Sequence, residues 1–175
     1  RAFAAQDAET GLNNRVFFDN QLATQLEEPN AHGVVMMIRL PELELLIESY
    51  GKEVVDELLY MLVNMLSTFI MRQPTALLAR YFSNDFSVML PHRSLKDADI
   101  IATQLVNAIQ QLPLPSNIEK ESLIHIGICA YQKGQTPEQI MDNAEQAART
   151  AVLQGSNGWF IDENHQASVI RGSVR

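Results

Sequence analysis

A short hairpin segment carries the residues of this chain with the clearest potential for chemistry. Residues 79–91 read ARYFSNDFSVMLP, in which apolar residues flank a polar turn of Ser83, Asn84 and Asp85. This pattern is typical of two strands joined by a tight turn. The dipeptide Asn84–Asp85 favours a turn, so Asp85 is expected as a turn residue. A carboxylate could bind a metal ion, whereas the amide of Asn84 offers an oxygen without charge.

The periodicity of apolar residues predicts the elements that position this hairpin. Strands are predicted at residues 33–40, 77–82, 86–90, 123–131 and 159–161. Helices are predicted at residues 14–26, 42–50 and 52–71, and after the caps Ser94 and Thr136. A hairpin inside an alternating strand–helix order predicts an α+β fold, with a mixed five-stranded central sheet and helices on both faces.

Composition and charge exclude several classes of protein. The 175 residues are enough for one domain with a full core. No uninterrupted apolar run reaches the ~18 residues that span a bilayer. The formal net charge of −8 argues against a domain whose main task is to grip nucleic acid. The single cysteine, Cys129, lies in an apolar run and is expected to be buried and reduced.

Four segments, in order and at suitable spacing, resemble the motifs of GGDEF domains, which in active members join two GTP molecules into cyclic di-GMP. They are DAETGLNNR at 7–15, the hairpin, HIGICAY at 125–131 and AEQAARTAVLQGSN at 144–157. The resemblance implies a nucleotidyl-cyclase-like fold. The five signature positions, however, hold Phe82, Ser83, Asn84, Asp85 and Phe86, so both glycines and the first acid are replaced.

The resemblance implies that the metal site of the cyclases is lost. Alignment with the family pattern places Arg39 and Pro41 where two acids follow the first strand, and Asn84 where a catalytic acid stands. A guanidinium ~4 Å from a cation repels it by several kcal/mol, even at an effective dielectric of ~20. No metal, cofactor or catalytic residue is therefore expected. Arg39 is expected to pair with a nearby acid, namely Glu42, Glu44 or Asp85, with partner binding as the alternative.

Positions that hold the nucleotide in active members of the family also differ here. Glu44 and Val152 align with phosphate-contacting lysines, and Ile47 aligns with a guanine-reading asparagine. Asp56 keeps an acid that reads guanine in the family. At the first two signature positions, side chains replace the glycines that let the backbone approach the nucleotide. The resemblance therefore implies that the metal site, base recognition and the phosphate clamp are lost together.

The inhibitory product site of the family is the motif R-x-x-D before the hairpin. It aligns with Gln73 and Ala76, so binding of cyclic di-GMP by that route is expected to be lost. Arg72 lies one residue away, and a shifted product site that includes it is the alternative.

Two groups of side chains near the hairpin are candidates for contact with RNA or a partner. Phe82 and Phe86 would form an aromatic platform if both were exposed, although Phe86 is expected in the core. Arg80, Arg93 and Lys96 form a small basic group around the hairpin and the following helix. The alternative for this basic group is an ordinary solvated face.

Longer runs, including FFDNQLAT at 17–24 and HGVVMMIRLP at 32–41, resemble one branch of the family. Its members are membrane-anchored regulators of small-RNA decay with degenerate GGDEF and EAL-type domains. The resemblance implies an N-terminal linker and opening motif at 1–13, a degenerate GGDEF domain at 14–162, and a linker toward an EAL-type domain at 163–175. It also implies a cytoplasmic domain of an inner-membrane protein, without membrane contact of its own.

The function implied by this resemblance is that of a non-catalytic regulatory domain. The larger protein would promote RNase E-dependent decay of CsrB- and CsrC-type regulatory RNAs, without making or breaking cyclic di-GMP. The implied partners are the neighbouring EAL-type domain and, through the whole protein, the RNase E machinery and these RNAs. The alternative is a pseudo-cyclase sensor that binds GTP or cyclic di-GMP and regulates a neighbouring domain.

Overall fold

The computed structural model describes residues 5–163 and 169–171. The strands are β1 (Asn13–Asn14), β2 (His32–Arg39), β3 (Leu77–Phe82), β4 (Asp85–Pro91), β5 (His125–Gln132), β6 (Gly158–Asp162) and β7 (Val169–Arg171). The helices are α1 (Arg15–Leu26), α2 (Leu43–Tyr50), α3 (Lys52–Met71), α4 (Leu95–Gln111) and α5 (Pro137–Leu153).

The strands form one mixed sheet in the order β1-β3-β4-β2-β5-β6-β7. The central strand β2 pairs antiparallel with both β4 and β5, and β6 pairs parallel with β5. The structure confirms the α+β fold and contains all five predicted strands. It adds β1 at one edge and β7 at the other. Strand β7 lies within the segment 163–175 that the sequence predicts as a linker.

Strand β2 is apolar along nearly its whole length because helices cover both faces of the sheet. Val34, Met36 and Ile38 belong to a core layer shared with α3 and α4. Val35 and Met37 belong to a second layer shared with α1 and α5. Side chains alternate between the two faces of a strand, so a strand buried on both sides needs a continuous apolar run.

Helix α3 is a core helix, although its length and apolar composition would also suit a membrane span. Its buried residues recur every three or four positions, which places them along one side of the helix. They are Val55, Leu58, Leu59, Leu62, Met65, Leu66 and Ile70. All of these side chains except Val55 pack in the core layer on the α3 side of the sheet.

Helix α5 packs directly onto the backbone of β5. A methyl group added at Gly127 would collide with backbone atoms of Ala144 and Ala148. Only a residue without a side chain therefore permits this close approach. The predicted Thr136 cap begins the helix, and it forms a capping box with Gln139. This packing fixes the face of α5 that borders the end of the sheet.

The side chain of Asn157 fixes the loop that leads into β5. It is fully buried, and its Oδ1 accepts hydrogen bonds from Leu123 N at 2.6 Å and Ile124 N at 2.8 Å. Its amide group donates to the carbonyl of Lys120. Because these two backbone amides bond to a side chain, β5 begins at His125, two residues later than the sequence predicts.

Replacement of Asn157 by alanine should lower the free energy of unfolding by roughly 3 kcal/mol. The change leaves the buried amides of Leu123 and Ile124 and the carbonyl of Lys120 without the partner that Asn157 provides, which is costly. Asn107→Ala, on the exposed side of α4, is the matched control and should change stability by less than about 0.5 kcal/mol. Urea unfolding followed by circular dichroism measures both. Equal midpoints for the two variants would show that Asn157 does not hold this loop.

Candidate functional site

A cleft of about 560 Å³ opens at the end of the sheet where β2 ends and β4 begins. The walls are formed by the β3–β4 turn, the segment after β2, the start of β5 and helix α5. The lining residues are Arg39, Leu40, Pro41, Glu42, Phe82, Ser83, Asn84, Asp85, Ser122, His125, Glu145 and Val152. The fold thus brings together four of the five signature positions with the predicted Arg39, Pro41 and Val152.

The central feature of the cleft is a bidentate ion pair between Arg39 and Asp85. Arg39 Nε donates to Asp85 Oδ1 at 2.9 Å, and Nη2 donates to Oδ2 at 2.8 Å. The exposed fraction of the side chain is 19% for Arg39 and 5% for Asp85. The two residues face each other across the β2–β4 ladder, so strand register sets the pair. The hydrogen bond to Asp85 raises the pKa of Arg39 above its ordinary value.

Glu145 on α5 is a second acid at this guanidinium. Its Oε2 lies 3.4 Å from Arg39 Nη2, and its Oε1 lies 3.4 Å from Arg149 Nη2. Of the acids predicted to pair with Arg39, the structure selects Asp85. Glu145 was missed because it lies 106 residues away, on a helix that only the tertiary fold brings near.

The carboxylates in the floor of the cleft are already engaged. A divalent cation would have to displace the Arg39 guanidinium from Asp85 and Glu145 to reach their oxygens. Across residues 5–163 and 169–171, no group of three or more histidine, cysteine, aspartate or glutamate side chains is arranged to hold a metal ion.

Asn84 fastens the signature turn to α2. Its carbonyl accepts a hydrogen bond from Leu40 N at 2.8 Å, and its Oδ1 accepts one from Leu43 N at 3.2 Å. Leu43 is the first residue of α2, and an amide at a helix N-terminus needs a partner outside the helix. The amide oxygen of Asn84 therefore accepts a hydrogen bond from the first backbone amide of α2.

His125 forms another wall of the cleft that the sequence analysis did not select. It is buried, and burial lowers the pKa of its imidazole, so the ring is neutral at neutral pH. Its Nε2 lies 3.3 Å from the Gly155 carbonyl, which only accepts, so that nitrogen carries the proton. His125 can be identified as a cleft residue from the strand register, because it lies opposite Arg39 in the β2–β5 ladder.

Arg80 corrects one of the predictions for RNA contact. Its side chain is buried, and its Nη1 lies 3.1 Å from Asp7 Oδ2 and 2.6 Å from Glu9 Oε1. Its Nη2 donates to the Ser83 carbonyl at 2.9 Å. A guanidinium that is enclosed and neutralised in this way is inaccessible to a phosphate, so the prediction for Arg80 is wrong.

Arg93 and Lys96 lie away from the cleft, beyond the far end of β4 and at the start of α4. Lys96 is exposed, whereas Arg93 is half-buried and its Nη1 donates to Gln73 Oε1 at 2.9 Å. Gln73 stands at the aligned product-site position, and the nearby guanidinium of Arg72 lies over the Phe69 ring, 5.4 Å from its centroid. These cations therefore form no surface continuous with the cleft.

The remaining aligned nucleotide positions do not line the cleft. Glu44 and Ile47 lie on α2, with Glu44 exposed and Ile47 half-buried. Asp56 lies exposed on α3 and accepts a hydrogen bond from Lys52 Nζ at 3.0 Å.

The two signature phenylalanines have separate environments. Phe86 is fully buried in the core, as expected, so the pair does not form a shared aromatic platform. Phe82 borders the cleft and meets the ring of Tyr81 edge-on, at 4.9 Å between centroids. The guanidinium of Arg15 lies 4.9 Å from the centre of the Phe82 ring. Of the two phenylalanines, Phe82 is therefore the one that presents its ring at the cleft.

Two curated relatives resemble the chain in sequence. It is 52% identical, over its full length, to the RNase E specificity factor CsrD of Escherichia coli strain K12. It is 28% identical, over 92% of its length, to the bifunctional diguanylate cyclase/cyclic di-GMP phosphodiesterase MucR of Pseudomonas aeruginosa. The chain spans only 28% of CsrD and 24% of MucR.

Solved structures of low sequence identity share the fold. The GGDEF domain of DgcB from Caulobacter crescentus, in complex with c-di-GMP, superposes with a TM-score of 0.79 at 16% identity, covering 95% of this chain and 99% of that one. The GGDEF domain of FimX from Pseudomonas aeruginosa gives 0.77 at 19% identity, covering 93% and 100%. The sequence profile described as "Diguanylate cyclase, GGDEF domain" matches residues 4–158. The chain therefore belongs to the GGDEF domain family.

Proposed function

We propose that this chain is a non-catalytic regulatory domain of a protein that promotes RNase E-dependent decay of CsrB- and CsrC-type regulatory RNAs. The observation that carries the non-catalytic part is the bidentate Arg39–Asp85 pair at the centre of the cleft. The similarity to an RNase E specificity factor supports the part in RNA decay.

Phosphoryl transfer requires bound cations that offset the charge on the phosphate oxygens. In this cleft Arg39 engages both Asp85 and Glu145, and the oxygen of Asn84 accepts a backbone amide. The aligned phosphate-contacting position on α5 holds the apolar Val152. The cleft therefore lacks free carboxylates at the positions that bind a metal ion in the family, and it lacks a cation at this position, which contacts phosphate there.

The domain would act through its neighbours in the parent protein. We propose that residues 14–162 form the regulatory domain and that residues 163–175 lead toward an EAL-type domain. The RNase E machinery and the RNAs would be contacted by the full-length, membrane-anchored protein. The net charge of −8 and the enclosed side chain of Arg80 argue against a principal RNA-binding role for this domain itself.

A sensor that binds GTP or cyclic di-GMP is the second candidate. The volume of the cleft, about 560 Å³, favours this alternative because it lies within the range of small-molecule sites. Such a sensor would regulate a neighbouring domain by occupancy of the cleft.

Calorimetry with GTP–Mg²⁺ and with cyclic di-GMP separates these two candidates. We expect no saturable heat at micromolar protein, because Arg39 occupies the carboxylates of Asp85 and Glu145 that a metal ion would need, and Glu44 and Val152 stand at the aligned phosphate-contacting positions. A cyclase assay on the same preparation should give no product above the blank, with an active cyclase as the positive control. Saturable nucleotide binding would favour the sensor, and product would overturn the non-catalytic assignment.

Replacement of Arg39 by alanine should lower the free energy of unfolding by roughly 3 kcal/mol. It leaves the carboxylate of Asp85 buried without its partner, which costs far more than the loss of an exposed pair. Arg149→Ala is the matched control. It removes the other guanidinium that pairs with Glu145, and the side chain of Arg149 is largely exposed. Urea unfolding should separate the two variants clearly. Equal stability would mean that Arg39 is not a structural cation.

In cells without the parent protein, the full-length parent with Asp56→Ala should restore rapid decay of CsrB-type RNA. Deletion of residues 14–162 should not restore it. Asp56 is exposed and pairs with Lys52, so a function without nucleotide does not need it. The half-life after transcription is stopped provides the measurement, and Glu57→Ala on the same helix is the control. Slow decay with Asp56→Ala alone would favour the nucleotide sensor.

A further inference from the structure

The mouth of the cleft exposes apolar side chains from two elements. Phe82 in the hairpin is 37% exposed and Val152 on α5 is 38% exposed, and both line the cleft. Leu153, the next residue of α5, is 86% exposed. Large apolar side chains scattered singly over a surface need no explanation. Phe82 and Val152 together at the rim of one concave site indicate a surface that another molecule covers.

The charges that line the same cleft are predominantly negative. Glu42, Asp85 and Glu145 contribute three formal negative charges. Arg39, which pairs with Asp85, and Arg149, which pairs with Glu145, contribute two positive charges, so one net negative charge remains. His125 adds no charge at neutral pH because burial lowers its pKa. The positive charge of Arg39 is balanced by the carboxylate of Asp85, to which it forms a bidentate hydrogen bond. A phosphate or a polynucleotide would therefore be repelled, whereas a cation would be attracted.

We propose that this cleft docks a basic, amphipathic segment of a partner protein. A lysine or arginine side chain of that segment would approach Glu42, which is exposed at the cleft. An apolar side chain of the same segment would pack against Phe82 and Val152. This inference rests on the proposed non-catalytic function, because it requires that nucleotide does not occupy the cleft.

Complementarity selects this occupant over the others. An acidic segment or an RNA strand would meet the net negative charge of the lining without a metal ion to offset it. A purely apolar segment would leave Glu42 facing a desolvated interface, which costs free energy unless a cation pairs with it. A segment that carries both positive and apolar side chains satisfies both properties of the cleft.

Fluorescence polarisation with a labelled short peptide of alternating arginine and leucine tests the proposal. The double variant Glu42→Lys with Val152→Ser changes one acid and one apolar residue of the cleft. The double variant Glu57→Lys with Tyr60→Ser makes the same two kinds of change on the exposed side of α3 and is the matched control. We expect the cleft variant to bind the peptide about tenfold more weakly or less, and the α3 variant to bind as the natural chain does.

The natural chain should also bind the basic peptide less tightly as salt is raised, and should not bind a peptide of alternating glutamate and leucine. If the cleft variant does not fold, as judged by circular dichroism, Val152→Ser alone serves, with a smaller loss of affinity expected. Equal affinities of the cleft and α3 variants, absence of saturable binding, or binding of a labelled RNA oligonucleotide that the cleft variant loses would each overturn the proposal.

Calorimetry with GTP–Mg²⁺ on the same preparation distinguishes the two levels of inference. Saturable nucleotide binding would remove the proposed function and this docking site together. A preparation that binds neither the nucleotide nor the basic peptide would leave the non-catalytic function standing and would overturn only the docking site.

Discussion

The ion pair between Arg39 and Asp85 is the interaction on which the geometry of the cleft depends. A buried pair contributes little net stability, since removing both charges from water costs about as much as their attraction returns. Its effect lies in specificity. A slip of one residue in the β2–β4 register would set an apolar neighbour of Arg39 against Asp85 and leave both charges unpaired. The pair thereby fixes the register of the central strands and, with it, the position of the hairpin.

Three consecutive residues of the signature turn each hold a different element. The carbonyl of Ser83 accepts from Arg80, which in turn binds Asp7 in the segment before α1. Asn84 binds the first amide of α2, and Asp85 binds Arg39 at the end of β2. Segments that are distant in sequence therefore meet at one turn. The residues at this position of the family act here as a structural junction between the N-terminal segment, the sheet and α2.

Local patterns in the sequence predicted most of the fold. The apolar run of β2, the cap at Thr136 and the polar turn of the hairpin are each specified by neighbouring residues. The edge strand β1 has two residues, too few to show an alternating pattern, and it forms by pairing with β3.

The missing parts of the site depend on long-range contacts. The acids that enclose Arg80 lie 71 and 73 residues away, and Glu145 lies 106 residues from Arg39. His125 joins the cleft only through the register of β5 against β2. Sequence spacing carries no information on such pairs, whereas the sheet order fixes them once the fold is known.

The separation between core and cleft explains how the fold persists while its site differs. The two core layers are built from the middle of the strands and the inner faces of the helices. The cleft is built from strand ends, a turn and one border of α5, where residues such as Pro41 and Val152 contribute to neither layer. Substitutions at Pro41 or Val152 leave both core layers intact, so the fold can persist while the cleft changes. The TM-score of 0.79 to a GGDEF domain at 16% identity therefore shows that the two chains share a fold. It does not show that they share a chemical activity. The chemistry of this domain depends instead on the charges and shapes at the strand ends.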